Sequence, residues 1–164
     1  MQIPRNVDPS FYQHLVAEDE LGMVVRAHIH IEASIIDFLK QVVPSPELLP
    51  RLAYEARLRL ACALGLDQDH FNALKTLGDI RNSFGHNIEA RLSDQAVNDL
   101  YARMPALAKE ATLVAYARTT ESGSTEAPPF DKLSARDRFV LIAVALKMFA
   151  VHSAAKAHFQ RVDV

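Results

Sequence analysis

The strongest constraint on the fold is a long amphipathic helix between Glu20 and Val43, where apolar residues recur every three or four positions. Pro44 and Pro46 follow at once, and proline cannot continue a helix. Residues 28–32 alternate in polarity like a strand, but the helical pattern extends well beyond them on both sides. The residues that carry the helical pattern are Val24, Ala27, Ile31, Ile35, Phe38 and Val42.

The rest of the chain also divides into helical segments, and no longer alternation favours a sheet. We therefore predict an all-α, single-domain bundle of about six helices over residues 1–164. Gly65 is expected to cap the third helix and Gly85 to end the fourth. Pro105 is expected to kink or split the fifth, and residues 119–131 to form an exposed loop. The predicted helices are 11–19, 20–43, 47–64, 67–84, 96–118 and 135–160.

Composition argues against several classes of protein. A net charge of −2 and a pI near 6.4 give no reason to expect wholesale nucleic-acid binding. The longest apolar run, Phe139–Leu146, is too short to cross a bilayer, and the N-terminus lacks the features of a secretory signal, so we expect a cytoplasmic protein. The single cysteine, Cys62, is interpreted as a small core residue. The histidines lack metal-ligand spacing and no phosphate loop occurs, so neither a metal nor a cofactor is predicted.

Two charges fall on helix faces that are otherwise apolar. Glu32 lies inside the apolar arc of the second helix, and Arg81 projects from the apolar stripe of residues 74–84 in the fourth. An unpaired buried charge is expensive, so Arg81 is expected to meet a carboxylate, reach solvent through a groove or bind an anion. We predict that Glu32 and Arg81 approach each other or face one shared groove. A purely structural ion pair is the alternative.

Arg81, Asn82 and His86 form a second candidate site at the end of the fourth helix, where a helix favours cations. An arginine that stabilises an anionic phosphorane and a histidine that moves a proton are sufficient for metal-independent cleavage of RNA by its 2′-hydroxyl. The competing interpretation is that Arg81 and His86 cap helix carbonyls and hold the following loop. Spacing alone favours capping.

Two segments in the middle of the chain resemble a known family. Residues 58–66 (LRLACALGL) are followed by residues 74–86 (LKTLGDIRNSFGH). This resembles the mannitol operon repressor (MltR-like) family, in which a helix ending in A-x-A-L-G-L precedes I-R-N-x-F-A-H, and Gly85 replaces the usual alanine. The likeness covers about residues 23–87. It implies a helical, non-enzymatic regulator of transcription of a carbohydrate operon. Since the family lacks a recognisable DNA-binding module, it implies action through a protein partner.

A second, broader resemblance involves the same residues. Residues 81–86 (RNSFGH) are similar to the R-x4-6-H motif of HEPN helical domains, many of which are ribonucleases of toxin or defence systems. This resemblance implies a metal-independent ribonuclease in which Arg81 and His86 are catalytic and Asn82 orients the substrate or a neighbouring chain. It also implies an antitoxin partner and a dimer with both motifs in one cleft. A catalytically silent module that binds a nucleotide or an antitoxin is a third hypothesis.

The regulator is our primary hypothesis and the ribonuclease the alternative, and they differ in what they require of Arg81. The regulator requires that Glu32 neutralise Arg81 and that RNA is not cut. It also requires that an exposed apolar patch, and not the motif of residues 81–86, recruit the partner. The ribonuclease requires an open groove around Arg81 and His86.

Two other surfaces bear on partners. The last helix is apolar nearly all the way round from Phe139 to Val151, so we expect it to lie in the core and to lend its outer side to a homodimer. A basic side on the third helix, formed by Arg51, Arg57 and Arg59, is interpreted as a solvated face.

Overall fold

Helix α2 (Glu20–Val42) corresponds to the strongest pattern in the sequence. It begins at Asp19, whose side-chain Oδ1 accepts a hydrogen bond from the backbone N–H of Gly22 at 2.7 Å. In this computed structural model, which describes residues 9–87, 89–120 and 128–162, residues 28–32 are fully helical. The prediction of a helix there is confirmed, and a strand is not formed.

The described residues form seven α-helices and no strand, so the predicted all-α bundle is confirmed. There are seven helices because the fifth predicted helix is split at Pro105. Three short 3-10 turns lie between them, at Pro46–Leu48, Gln68–His70 and Phe130–Lys132. The other helices are α1 (Pro9–Val16), α3 (Tyr54–Ala63), α4 (Phe71–His86), α5 (Asp94–Ala102), α6 (Ala106–Thr120) and α7 (Ala135–Val162).

Helix α3 starts seven residues later than predicted. Pro50 explains the difference, because a proline disfavours helical backbone at the residue before it, and Leu49 is extended with ψ of 123°. The end of α3 is as predicted. Gly65 has a φ of 106°, which lies in the left-handed region, and the backbone N–H of Leu66 reaches back to the carbonyl of Ala61 at 2.9 Å. Most of the predicted loop 119–131 lies outside the described residues.

Helix α7 forms the centre of the bundle. Every residue from Phe139 to Leu146 is buried within the single chain. Helix α2 packs along α7, and α1, α5 and α6 also contact α7, while α3 and α4 pack against α2. The prediction that α7 lies in the core is confirmed. Because residues 139–146 are all buried within one chain, they offer no surface to a second subunit. The homodimer stays a prediction, but these residues cannot form its interface. Among the described helices, none has both the length and the apolar character needed to cross a membrane.

Candidate functional site

Glu32 forms an ion pair, but not with the predicted residue. Its Oε1 accepts a hydrogen bond from Nη1 of Arg57 on α3, and Arg57 also donates through Nη2 to the carbonyl of Leu52 at 2.8 Å. Both charged side chains are about one-fifth to one-quarter exposed, at 19% for Arg57 and 25% for Glu32. The prediction that Glu32 and Arg81 form an ion pair is therefore wrong, as is the assignment of Arg57 to a solvated face. The cation that pairs with Glu32 comes from α3 and not from α4. The alternative, that Glu32 and Arg81 face one shared groove, stays a prediction.

His28 lies one turn before Glu32 on the same side of α2 and is buried. Its Nδ1 is 3.8 Å from Oε2 of Glu32, and its ring packs against the ring of Tyr54 with centroids 4.3 Å apart. Burial lowers the pKa of His28, and the positive charges of Arg81 and Arg57 lower it further against the opposing effect of Glu32. These surroundings favour the neutral form of the His28 imidazole beside the Glu32–Arg57 pair.

Tyr54 joins this cluster to α4. Its hydroxyl donates a hydrogen bond to the carbonyl of Leu74 at 3.0 Å, and its ring covers Gly78 so closely that a Cβ there would lie 2.7 Å from Cε1. Burial raises the pKa of the Tyr54 hydroxyl, and the Glu32 charge adds to this effect. Tyr54 is therefore a fixed, uncharged contact between α3 and α4.

Arg81 is exposed to solvent and not buried as its position beside the apolar stripe suggested. Its described hydrogen bond runs from Nη1 to Oδ1 of Asn82 at 3.1 Å, so a neutral amide holds the guanidinium. The reason is the position of α3, which covers α4 at Leu74 and Gly78 through Tyr54. Arg81 lies almost one turn beyond Gly78, past the start of α3. Its charge therefore remains available to a ligand.

His86 is the last residue of α4 and does not lie in the loop after the helix. The helix continues through Gly85, which was predicted to end it, and Asn87 closes it with a backbone N–H to the carbonyl of Ser83 at 3.1 Å. On a continuous helix, Arg81 and His86 leave the axis about 140° apart. Asn82 and His86, however, are one turn apart on one face. The hydrogen bond to Asn82 turns the Arg81 guanidinium toward that face, which we call the α4 polar face (Arg81, Asn82 and His86).

A groove of roughly 700 Å³ opens at the end of the α4 polar face. His86 lines it and Arg81 does not. Its two carboxylates have structural roles, because Asp19 caps α2 and Oε2 of Glu20 accepts a hydrogen bond from the backbone N–H of Leu92 at 3.0 Å. The full lining is Asp19, Glu20, Leu21, Phe84, Gly85, His86, Asn87, Ala90 and Arg91.

Two further kinds of reactive group among the described residues are metal-ligating side chains and the single thiol. Nowhere in that part of the chain do three His, Cys, Asp or Glu side chains come together in a way that would hold a metal. Cys62 is half-buried against the core, and burial raises the pKa of its thiol, with a further contribution from Asp67. A thiolate nucleophile is therefore disfavoured at Cys62.

Comparison with known proteins finds no family model, no curated protein and no solved structure that matches the chain. The resemblance to the MltR-like family accordingly rests on the sequence pattern within about residues 23–87, and the resemblance to HEPN domains on residues 81–86.

Proposed function

We propose that this chain is a non-enzymatic, cytoplasmic regulatory protein similar to the MltR-like family, which acts through a protein partner to influence transcription of a carbohydrate operon. The Glu32–Arg81 pair that was expected of a regulator is not formed, so the proposal rests instead on the exposed state of Arg81 and assigns partner recruitment to the α4 polar face, where an apolar patch was expected. The guanidinium of Arg81 is exposed and held by the amide of Asn82, while Glu32 is already neutralised by Arg57. A partner carboxylate that docks on Arg81 gains a charge-assisted hydrogen bond without breaking an existing ion pair.

A binding role suits the geometry of one chain better than catalysis does. Cleavage of RNA requires that arginine and histidine reach the same phosphate. Arg81 and His86 diverge by about 140° around α4, and only His86 borders the groove. A protein partner has no such requirement, since it can contact Arg81 and the groove at separate points.

The partner is tested by co-purification from the native host with two matched variants. Arg81→Ala is expected to lose a transcription regulator that the wild type retains. Arg103→Ala, which removes an exposed arginine at the end of α5, is expected to retain it. Equal retention by both variants would show that the α4 polar face does not recruit the partner.

A HEPN-type ribonuclease is the second candidate, and one observation favours it. Arg81 is not neutralised by Glu32, and its hydrogen bond to Asn82 directs the guanidinium toward the side of α4 that carries His86. In this mechanism His86 removes the proton of a 2′-hydroxyl, the oxygen attacks phosphorus, and Arg81 stabilises the phosphorane. The bond from phosphorus to the 5′-oxygen then breaks, and that oxygen takes a proton from solvent water. The products are a 2′,3′-cyclic phosphate and a 5′-hydroxyl.

Incubation of the purified protein with RNA in EDTA separates the two candidates. We expect no cleavage by the wild type, by His86→Ala or by Arg81→Ala. Cleavage by the wild type alone, with cyclic-phosphate ends, would overturn the regulatory proposal and establish the ribonuclease.

A further inference from the structure

His70 is a buried histidine that lies outside the candidate site. It ends the 3-10 turn Gln68–His70 in the connection between α3 and α4, and only 6% of it is exposed. Its ring packs against the ring of Phe149 on α7, with centroids 4.8 Å apart. Its Nδ1 lies 3.6 Å from Oδ2 of Asp67, and its Nε2 is buried without a hydrogen-bond partner among the described residues. His70 therefore joins the connection to α7 through a contact that leaves one ring nitrogen unsatisfied.

A small cavity beside the His70 ring offers no replacement for that partner. Its volume is roughly 10 Å³, the lower limit for one water molecule, and a buried water also needs two to four polar partners. Asp67 and His70 supply the only polar side chains of its lining. A proton added to Nε2 therefore has neither a protein acceptor nor a well-bound water while the ring stays in place. The full lining is Leu66, Asp67, His70, Leu74, Leu146, Phe149 and Ala150.

The charges around His70 do not offset its burial. Asp67 and Asp69, both in its own connection, favour the protonated ring. The residues that face it from α4 and α7 do not titrate, and burial outweighs the two carboxylates and lowers the pKa of His70. Protonation therefore favours a conformation in which the ring has left α7 and reached water. The facing residues of α4 and α7 are Leu74, Leu146, Phe149 and Ala150.

We propose that His70 is an acid-released latch, whose protonation separates the connection of residues 66–70 from α7 while the rest of the bundle stays folded. Helices α3 and α4 both pack against α2, and Tyr54 joins them to each other at their far end. They therefore keep their places when the connection moves, so the opening is local.

Opening of the latch exposes apolar side chains that the closed form hides. Leu66 and Phe149 are only 3% and 2% exposed while the ring is in place. Leu64 and Val151, each two positions away from one of them in the chain, are already 40% and 47% exposed. The acid form thus presents an enlarged apolar surface of the kind that binds other proteins, and the neutral form conceals it.

Amide hydrogen exchange of the full chain, followed by NMR, tests the latch. An open ring has the ordinary histidine pKa of 6.5, so the opening equilibrium rises by up to about tenfold for each pH unit below that value until the closed ring also titrates. Opening breaks the hydrogen bonds from the amides of Leu66 and His70 to the carbonyls of Ala61 and Asp67. After correction for intrinsic exchange rates, the protection of these two amides is expected to fall by that factor. Protection that is independent of pH, or that falls only in parallel with the amides of α2, would overturn the proposal.

Three variants show whether His70 itself controls the opening. His70→Phe keeps a ring against Phe149, and His70→Gln keeps a polar side chain, but neither takes up a proton, so both should make the protection of residues 66–70 independent of pH. His28→Leu is the matched control, because His28 is the other buried histidine of the described chain whose Nε2 lacks a partner, and it should leave the pH dependence in place. A wild-type pH dependence in both His70 variants would refute the latch.

Asp67→Asn tests the closed geometry. The asparagine can still accept the hydrogen bond from the backbone N–H of Asp69, but it no longer favours the protonated ring. The midpoint of the His70 titration, followed by NMR of the imidazole, is expected below pH 6.5 in the wild type and lower still in the variant. A wild-type midpoint at or above 6.5, or a midpoint that the substitution leaves unchanged, would show that His70 does not lie buried beside Asp67 and would end the proposal.

Discussion

Replacing Gly78 with alanine tests the contact between α3 and α4 that shapes the candidate site. In an exposed helix, alanine is favoured over glycine by about 1 kcal/mol. At position 78 the new methyl group would lie 2.7 Å from Cε1 and 2.8 Å from Cδ1 of Tyr54. The ring cannot move freely, because its hydroxyl is bonded to the Leu74 carbonyl and its face packs on His28.

The magnitude follows from these contacts. Overpacking a filled site costs about 1 to 3 kcal/mol, and loss of the Tyr54 hydrogen bond adds about 1 kcal/mol. Against the gain in helix propensity of about 1 kcal/mol, Gly78→Ala is expected to lower the free energy of unfolding by about 1 to 3 kcal/mol. For a chain of this length, each 1 kcal/mol corresponds to a fall in Tm of about 2 to 4 °C.

Gly85 is the matched control, since it lies in the same helix with nothing within 4 Å of its would-be Cβ. Gly85→Ala should raise the stability by up to about 1 kcal/mol. Urea unfolding followed by circular dichroism measures both variants. In a Tyr54→Ala background the ring is gone, and Gly78→Ala should become stabilising like Gly85→Ala. If Gly78→Ala stabilises the otherwise unaltered protein, Tyr54 does not pack on Gly78 and the site geometry is wrong.

Two further predictions concern the charged residues of the site. Arg57→Met leaves the Glu32 carboxylate unpaired and should lower the free energy of unfolding by about 1 to 3 kcal/mol. Arg81→Met, at an exposed position, should change it by less than about 0.5 kcal/mol. If urea unfolding gave the reverse order, Arg81 and not Arg57 would be the partner of Glu32. Burial lowers the pKa of both His28 and His70 in the folded state, so the unfolded chain binds more protons than the folded one. The contribution of the two histidines to stability is therefore full above the unfolded pKa of 6.5. It is lost as the pH falls through their folded pKa values. Unfolding measured between about pH 7.5 and pH 5 should show this decline, and His28→Leu should flatten it; an unchanged profile in that variant would mean that His28 does not contribute.

The helix pattern was predictable because it depends on local periodicity. The path of α2, the left-handed cap at Gly65 and the burial of α7 all follow from spacing and from the conformational freedom of glycine. Apolar periodicity places the start of α3 too early because it carries no information on backbone conformation, whereas Pro50 disfavours a helical conformation at Leu49.

The candidate site was less predictable because its contacts join residues far apart in the chain. Periodicity correctly identified Glu32 as a charge inside an apolar arc, but it gives no information on which neighbour supplies the counter-charge. Arg57 is separated from Glu32 by 25 positions and lies on a helix whose amphipathic pattern is weak. The role of Tyr54 had one available signal, a glycine at position 78 inside a helix, which often marks a close approach.

The exposure of Arg81 has a consequence for how function can be separated from folding. The azimuth of a residue shows which side of a helix it occupies, but not whether a neighbouring helix extends far enough to cover it. Helix α3 covers α4 at Gly78 and not at the next turn, so Arg81, Asn82 and His86 are all exposed. Substitutions on the α4 polar face should therefore alter partner binding or RNA cleavage with little change in stability. A loss of function there can be attributed to the face itself, whereas a loss at Glu32, Arg57 or Tyr54 would first require a measurement of unfolding.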